Sequence, residues 1–421
     1  MPVRSRARSA LQRRALNLAR TTPGRLTLLA LALAGLSLLV GLLTAQSVQR
    51  RTDALSVLAD QTEPLAYAAQ EVYRAMADAD ATAASAFLSG GVESPQLRQR
   101  YEDDIARASS ALSAATDALT RAGPLADEID TLAQQLPVYT GLVETARVHN
   151  RQGNPVGAAY LREASELMRG TLLPAAHDLH RAQSDATASE LAAAGVLPWT
   201  ELLLGGVLLS ALAGAQRYLF LTSNRLLNIG LVVASAASVI ALMWSLVASL
   251  VVVADTGAGQ TAARQVDVLA QARITTLSAR GDETLALVTR GGGATAYEDG
   301  YRRLDGELEE LLAQAHAGDA GEHHRRWQRA HAMLRAADDR GDWEGAVDLA
   351  LGTGSEGAAS AFDALDRDLV DALVAARTEA NGAVASARGA LGGAVDVVAF
   401  LSAIAAFACL AGVWQRLKEY R

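Results

Sequence analysis

The stretch RQGNPVGAAYLREAS at residues 151–165 returns, altered but recognisable, as RGDWEGAVDLALGTG at residues 340–354. Each copy opens on an arginine, passes a glycine and a polar residue, and reaches Gly-Ala before entering an apolar-periodic stretch. Such a phrase reads as a joint between helices. Gly153 and Gly341 supply the left-handed residue that ends one helix. Asn154 or Asp342 caps the next helix, and Gly157-Ala158 or Gly345-Ala346 lets it lie close to its neighbour. Contact of this loop with a ligand is the alternative.

More pairs appear once the repeat is suspected. MADADATAASAFLSGG (76–91) aligns with LSARGDETLALVTRGG (277–292), and RYEDDIARASSAL (100–112) with AYEDGYRRLDGEL (296–308). The latter alignment pairs Tyr101 with Tyr297. The chain therefore reads as a tandem duplication of one unit.

Composition fixes the class of that unit. Half of the 421 residues are apolar, yet only 5% are aromatic, and Ala and Leu predominate, the residues that lose least on entering a helix. Period-two runs of Val, Ile and Thr are nearly absent, so sheet is not expected. One cysteine, Cys409, excludes an internal disulfide and a thiolate metal cluster.

Four segments are too apolar for a soluble fold: 26–45, 202–216, 226–254 and 389–414, interrupted by few or no charges. About 20 apolar residues span a bilayer as helix. A cleaved leader is the alternative for the first, but its core is longer than a leader's and no clean cleavage site follows. Arginines set the orientation. Arg4, Arg6, Arg8, Arg13, Arg14, Arg20 and Arg25 precede the first span, Arg217 and Arg225 lie between the second and third, and Arg416, Lys418 and Arg421 follow the last. By the positive-inside rule these segments face the cytoplasm. The long connections then lie outside, and they carry the acidity: 12 arginines against 20 acids over 46–190, and 14 against 23 over 255–388.

The expected fold class is all-α and integral to a membrane, with both termini cytoplasmic in a multi-pass plasma-membrane protein. In order come a basic amino terminus (1–25), a first span (26–45), an extracytoplasmic four-helix bundle (46–193), a second span (194–216), a cytoplasmic link (217–225), a third span (226–254), a second bundle (255–390), a fourth span (391–414) and a tail (415–421). Within the first bundle Leu55, Thr62, Ala69, Met76 and Ala83, with Leu58, Leu65, Val72, Ala79 and Ala86, form a heptad stripe of the kind that packs helices at shallow angles. Ser94 and Pro95 suit an N-cap and first helical residue. The first and last helices of each bundle are expected to run straight out of the spans.

Candidate chemistry is sparse. In EHHRRWQRAH (322–331), Glu322, His323 and His324 invite a metal, but chelation on a helix wants i and i+4, and that spacing from either histidine falls on Trp327 or Gln328. A solvated helix start with Trp327 packed inside is the plainer reading, and His177 and His180 read as surface. Among basic residues, Arg74, Arg98, Arg273 and Arg302 are the candidate ligand contacts, since guanidinium groups between helices suit a carboxylate. Arg100 and Arg303 belong to the same helices. Local pairing with Glu71, Asp78 or Glu102 competes with that reading. Arg4, Arg6, Arg8, Arg13, Arg14, Arg217 and Arg225 are candidate contacts for a cytoplasmic partner or anionic lipid. Glu201 and Asp396 are acids close to apolar spans, either functional or at headgroup level. No nucleophile-base set, phosphate loop or catalytic carboxylate pair stands out, so an enzyme is not expected; neither is a metal or cofactor. Charge and location argue against nucleic acid.

ADADATAASAFLSGG, RYEDDIARASSAL and GNPVGAAYLREASELMRGTLLPAAHDLHRAQ together resemble the external four-helix-bundle sensor domains of chemoreceptors and sensor kinases. The tandem arrangement with four spans and a basic amino terminus is similar to the actinobacterial GlnX-type membrane proteins. That resemblance implies a transmitter of external nutrient availability, an acidic amino acid in particular. It implies a glutamate- or aspartate-binding lipoprotein as outside partner and a cytoplasmic serine/threonine kinase or adaptor as target. No binding residues carry over from it. A structural or assembly subunit of an envelope complex is the alternative, and either is compatible with an oligomer.

Overall fold

A computed structural model describes residues 22–57, 63–90, 93–119, 125–196, 198–223, 228–289, 293–354 and 356–418. Every regular element in them is helical. In chain order these are α1 (Thr22–Val57), α2 (Glu63–Leu88), α3 (Pro95–Leu119), α4 (Ala126–Arg151), α5 (Val156–Leu167), a π-turn (Met168–Leu172), α6 (Leu173–Ala194), α7 (Trp199–Ser223), α8 (Ile229–Thr289), α9 (Ala294–Gln314), α10 (Ala320–Asp339), α11 (Trp343–Leu351), α12 (Ala358–Leu391) and α13 (Ala394–Lys418).

The repeated phrase is a helix joint, built the same way twice. Gly153 (φ 67°) and Gly341 (φ 81°) are both left-handed. Asn154 N–H donates to His149 O at 2.9 Å and Gly153 N–H to Asn150 O at 2.9 Å; Asp342 N–H donates to Ala337 O at 3.0 Å and Gly341 N–H to Asp338 O at 2.8 Å. This is the Schellman pattern in both copies. Asn154 Oδ1 then accepts from Val156 N–H and Asp342 Oδ1 from Gly345 N–H. A Cβ at Gly157 would lie 2.9 Å from Ala146 O, so that glycine sets how closely α5 approaches α4. Pro95 begins α3 as its sequence suggests, with Arg98 N–H donating to Ser94 O.

The chain forms two compact units, one of residues 1–56, 192–257 and 383–421, the other of 57–191 and 258–382. In the first, four helices are long and apolar enough to cross a membrane. Leu33, Leu212, Leu231, Ala234, Ala405 and Cys409 pack inside, while Leu31, Leu42, Leu203, Ile240, Phe400 and Phe407 face outward. Apolar inside and out is the pattern of a bundle with lipid as its solvent. Glycines bring the helices together: a Cβ on Gly230 would lie 2.4 Å from Gly412 Cα, the small-residue contact that apolar helices use. Asn228 caps α8, its Oδ1 accepting from Gly230 N–H at 3.0 Å and its Nδ2 donating to Gly412 O at 3.0 Å. That cap starts the third apolar helix at Ile229, and residues 226 and 227 lie outside the described residues. The second apolar helix runs from Trp199 to Ser223, with Arg217 near its carboxyl end.

Among the described residues, unbroken helix into an apolar stretch is seen in α8. Residues 58–62, between α1 and α2, lie outside the described residues. Helix α6 ends before Pro198, and α12 ends at a turn where Gly393 takes φ 74°.

In the second unit the two sequence halves share one buried core. Ala69, Met76, Tyr139 and Leu161 from the first half belong to the same contiguous cluster as Leu277, Leu285, Trp327 and Leu365 from the second. The expected heptad positions of α2 from Ala69 to Ala86 are buried, and Leu65 is half-buried. Leu58 and Thr62 lie outside the described residues. The burial is not confined to a stripe. From Ala75 to Ala86 every residue of α2 is buried, because alanines around the whole helix leave room for neighbours on every side. Residues 279–287 of α8 are buried as completely. These two helices form the centre, and both carry charge.

Candidate functional site

Helices α2 and α8 bury Asp78, Asp80, Arg273, Arg280, Asp282 and Glu283, each 5% exposed or less. Charges at such depth persist only when paired and hydrogen-bonded, and here they form three nodes.

The first node centres on Asp78. Its Oδ2 accepts from Arg74 Nη1 at 2.7 Å and lies 3.3 Å from Arg273 Nη2. Arg273 also grips Asp366 of α12 at 2.6 and 3.1 Å. The second node centres on Asp80, which accepts from Ser165 Oγ at 2.8 Å and Tyr139 Oη at 3.4 Å. Arg169 lies 3.5 Å from Asp80 and donates to Asp282. Arg169 sits on the π-turn, whose wider winding carries the guanidinium across to α8. Gly281 and Gly300 make the space, since a Cβ on either would meet Arg169 Nη2 at 2.7 Å or Asp282 Oδ2 at 2.3 Å. Burial lowers the Arg169 pKa, but Asp80 and Asp282 outweigh it and raise the pKa overall.

The third node encloses His331 of α10. Its Nδ1 is 2.9 Å from Glu283 Oε1, its Nε2 3.3 Å from Glu298 Oε2, and its ring stacks on Tyr301 at 3.6 Å between centroids. Glu283 also receives Trp327 Nε1 at 3.2 Å and Arg280. Burial disfavours the imidazolium, but the two carboxylates outweigh it and push the pKa up to about 9. On α3, near the first node, burial and then the Asp78 charge push Asp104 up to about 6.

Beside the first node is a cavity of about 340 Å³ between α2, α3, α8 and the segment joining α11 to α12. Its walls include Leu97, Leu277, Phe362, Thr82 and Ser85, and its charged groups are Asp78, Arg100, Arg280 and Asp363.

Of the four arginines singled out from sequence, Arg74 and Arg273 converge on Asp78. Arg98 instead pairs with Glu102 on an exposed face, and Arg302, 69% exposed, with Glu298. The local acids therefore claim Arg74, Arg98 and Arg302. Arg4, Arg6, Arg8, Arg13, Arg14 and Arg225 lie outside the described residues, and Arg217 is exposed on α7. Trp327 is packed inside as its spacing suggests. The histidines around it are not simply solvated: His323 pairs with Asp368 and buried His324 with Asp305. His180 is also half-buried; burial, then His177 and Arg377, lowers its pKa to about 4. Among the described residues no cluster of three His, Cys, Asp or Glu could hold a metal ion. Glu201 is buried in the first turn of α7, accepting from Ser47 with its second oxygen unpartnered among the described residues, whereas Asp396 is exposed.

Sequence reasoning passed over Arg169, Arg280 and Asp282. The signal was there in MADADA and SARGDE, acids and arginines spaced through alanine-rich helix, but their partners lie 113 residues away for Arg169 and Asp282, and 195 for Arg273 and Asp78.

Residues 54–192 match the family described as the actinobacterial sensor domain. No curated protein and no solved structure matches the chain. The matched stretch holds Asp78, Asp80, Arg100 and Arg169, so one side of the buried charge system lies in a region similar to a sensor.

Proposed function

We propose that this chain is a transmembrane signal transmitter and not an enzyme, taking its input in the helical unit of residues 57–191 and 258–382. The observation that carries this is α8. One helix of 61 residues contains both an apolar stretch of membrane-spanning length and the buried Arg273, Arg280, Asp282 and Glu283. A slide or rotation of α8 must break and remake the pairs with Asp78, Asp366 and Arg169, and packed elements of this kind exchange between discrete arrangements. The match of residues 54–192 to a sensor family supports the same reading.

The arginine distribution supports a plasma-membrane topology with both termini cytoplasmic, and the twin Schellman joints support a tandem duplication. The resemblance adds a route: an external nutrient, an acidic amino acid in particular, a solute-binding lipoprotein outside and a serine/threonine kinase within. Those partners rest on the resemblance alone. Reporter fusions at residues 120 and 320 are expected to report outside, and one at 220 inside. Pull-down from detergent, with and without external glutamate or aspartate, is expected to recover an extracytoplasmic binding protein. Deleting residues 1–20 is expected to abolish the downstream response with membrane insertion intact. A cytoplasmic readout at 120 contradicts the topology, and a full response after the deletion removes the amino terminus as output site.

A further inference from the structure

The cavity beside Asp78 is lined by an unusual set of unfinished charges. Asp78 Oδ2 is occupied by Arg74 and Arg273, but Oδ1 is buried and has no hydrogen-bond partner among the described residues. A buried carboxylate oxygen left in that state is costly. Facing it, Arg100 stands 3.8 Å from Asp78 Oδ1 and 3.9 Å from Asp363 Oδ1, beyond hydrogen-bond length from both, with 41% of its side chain exposed at the rim. Arg280 offers nothing further: it is held by Glu283 and by Ala350 O at 2.7 Å, and lies over the Phe362 ring.

We propose that this cavity binds a zwitterionic α-amino acid with a compact apolar side chain directly, its ammonium on Asp78 Oδ1, its carboxylate on Arg100, and its side chain against Leu97, Leu277 and Phe362. An ammonium group brings three donors to an oxygen that lacks one. The guanidinium fork matches a carboxylate. With the two anchors 3.8 Å apart, a ligand carrying both charges on one carbon places unlike charges next to each other all the way round. A simple anion would meet Asp78 and Asp363, and a simple amine would leave Arg100 unmatched. An acidic amino acid would bring a second carboxylate into a cavity that already holds the carboxylates of Asp78 and Asp363. A volume of about 340 Å³ is at the small end of ligand pockets.

This inference rests on the sensor reading and adds a directly bound ligand, distinct from the acidic amino acid that the resemblance routes through a binding lipoprotein. The test is isothermal titration of the full-length chain in detergent with L-leucine, L-glutamate, isoamylamine and 4-methylpentanoate. Leucine is expected to bind saturably, and the other three at least about tenfold more weakly. Arg100→Gln is expected to weaken leucine roughly ten- to a hundredfold without changing the melting temperature, because the side chain is half-exposed and makes no short contact. Ala359→Leu, which fills the cavity and leaves its charges alone, is expected to abolish binding. Absence of saturable leucine binding, glutamate binding as tight as leucine, or unchanged affinity in R100Q would each overturn the proposal. Leucine binding without any cytoplasmic response contradicts the transmitter reading and leaves this site standing. An intact response in cells whose protein binds no leucine contradicts this site alone.

Discussion

Replacing His331 by glutamine tests the buried charge system quantitatively. The imidazole is 7% exposed and sits between Glu283 and Glu298, with Arg335 on the far side of Glu298, Arg280 on Glu283, and Asp305 nearby on α9. Its pKa moves from 6.5 to about 9, which corresponds to ~3 kcal/mol of stabilisation of the protonated form. The same interaction lowers Glu283 and Glu298, so it is counted once. The sign follows from a raised folded-state value. The stabilisation is complete below the unfolded value of 6.5 and is lost as pH rises through about 9. H331Q has no such dependence. For a unit of this size ~3 kcal/mol corresponds to a melting shift of about 6 to 12 °C. Melting of the full-length protein in detergent, followed by circular dichroism from pH 6 to 10, is expected to show H331Q that much less stable at the acidic end. The two proteins should converge at the alkaline end. A gap that is constant with pH, or absent at pH 6, would refute the charge assignment and leave His331 as a packing residue only.

Three further outcomes follow from the same packing. Arg273→Met leaves the carboxylates of Asp366 and Asp78 without their shared cation and should cost about 3–5 kcal/mol, and adding Asp366→Leu should restore most of it; equal melting of the single and double variants counts against the pair. Asp104 has a folded pKa raised from 3.8 to about 6, so its ionisation opposes folding increasingly as pH rises between those values and in full above them; Asp104→Asn should gain up to ~3 kcal/mol at pH 7.5 and less than about 1 kcal/mol at pH 4, and an equal gain at both would point to another cause. Gly157→Ala forces a Cβ within 2.9 Å of Ala146 O and should cost about 1–3 kcal/mol, whereas Gly141→Ala, with open space around its Cβ, should be neutral or up to about 1 kcal/mol stabilising; similar melting of both would mean that α5 does not approach α4 as closely as described.

Much of the architecture was legible because local rules carried it. Apolar length marked the four candidate spans, glycine followed by a capping residue marked the joints at Gly153 and Gly341, and Ser94-Pro95 marked the start of α3. What escaped was long-range. A heptad stripe on α2 predicts one buried face, but alanine on the remaining faces does not say whether they meet solvent or another helix, and here they meet helices from both halves. The same ambiguity left the arginines unsorted. Arg98 and Arg100 are two residues apart on α3, yet one pairs on an exposed face and the other rims the cavity, a difference set by Tyr101 and Asp104 turning inward. The buried ring on α9 is Tyr301, one turn beyond Tyr297, which is half-buried. Repeat alignment by letters cannot see that step, because burial follows the packing partner and not the motif.

The central claim is that α8 carries the signal, and changing the phase of that helix tests it most directly. Two residues inserted after Gly257 turn everything beyond by about 200°, whereas seven turn it by close to two full turns and restore the register. A photo-crosslinker at position 217 would capture the proposed cytoplasmic partner in cells shifted from starvation to a defined mixture of the twenty amino acids. The account predicts that capture changes with feeding in the unmodified chain and in the seven-residue insertion, and does not change in the two-residue insertion, with membrane insertion equal in all three. An unchanged feeding response in the two-residue insertion would contradict it.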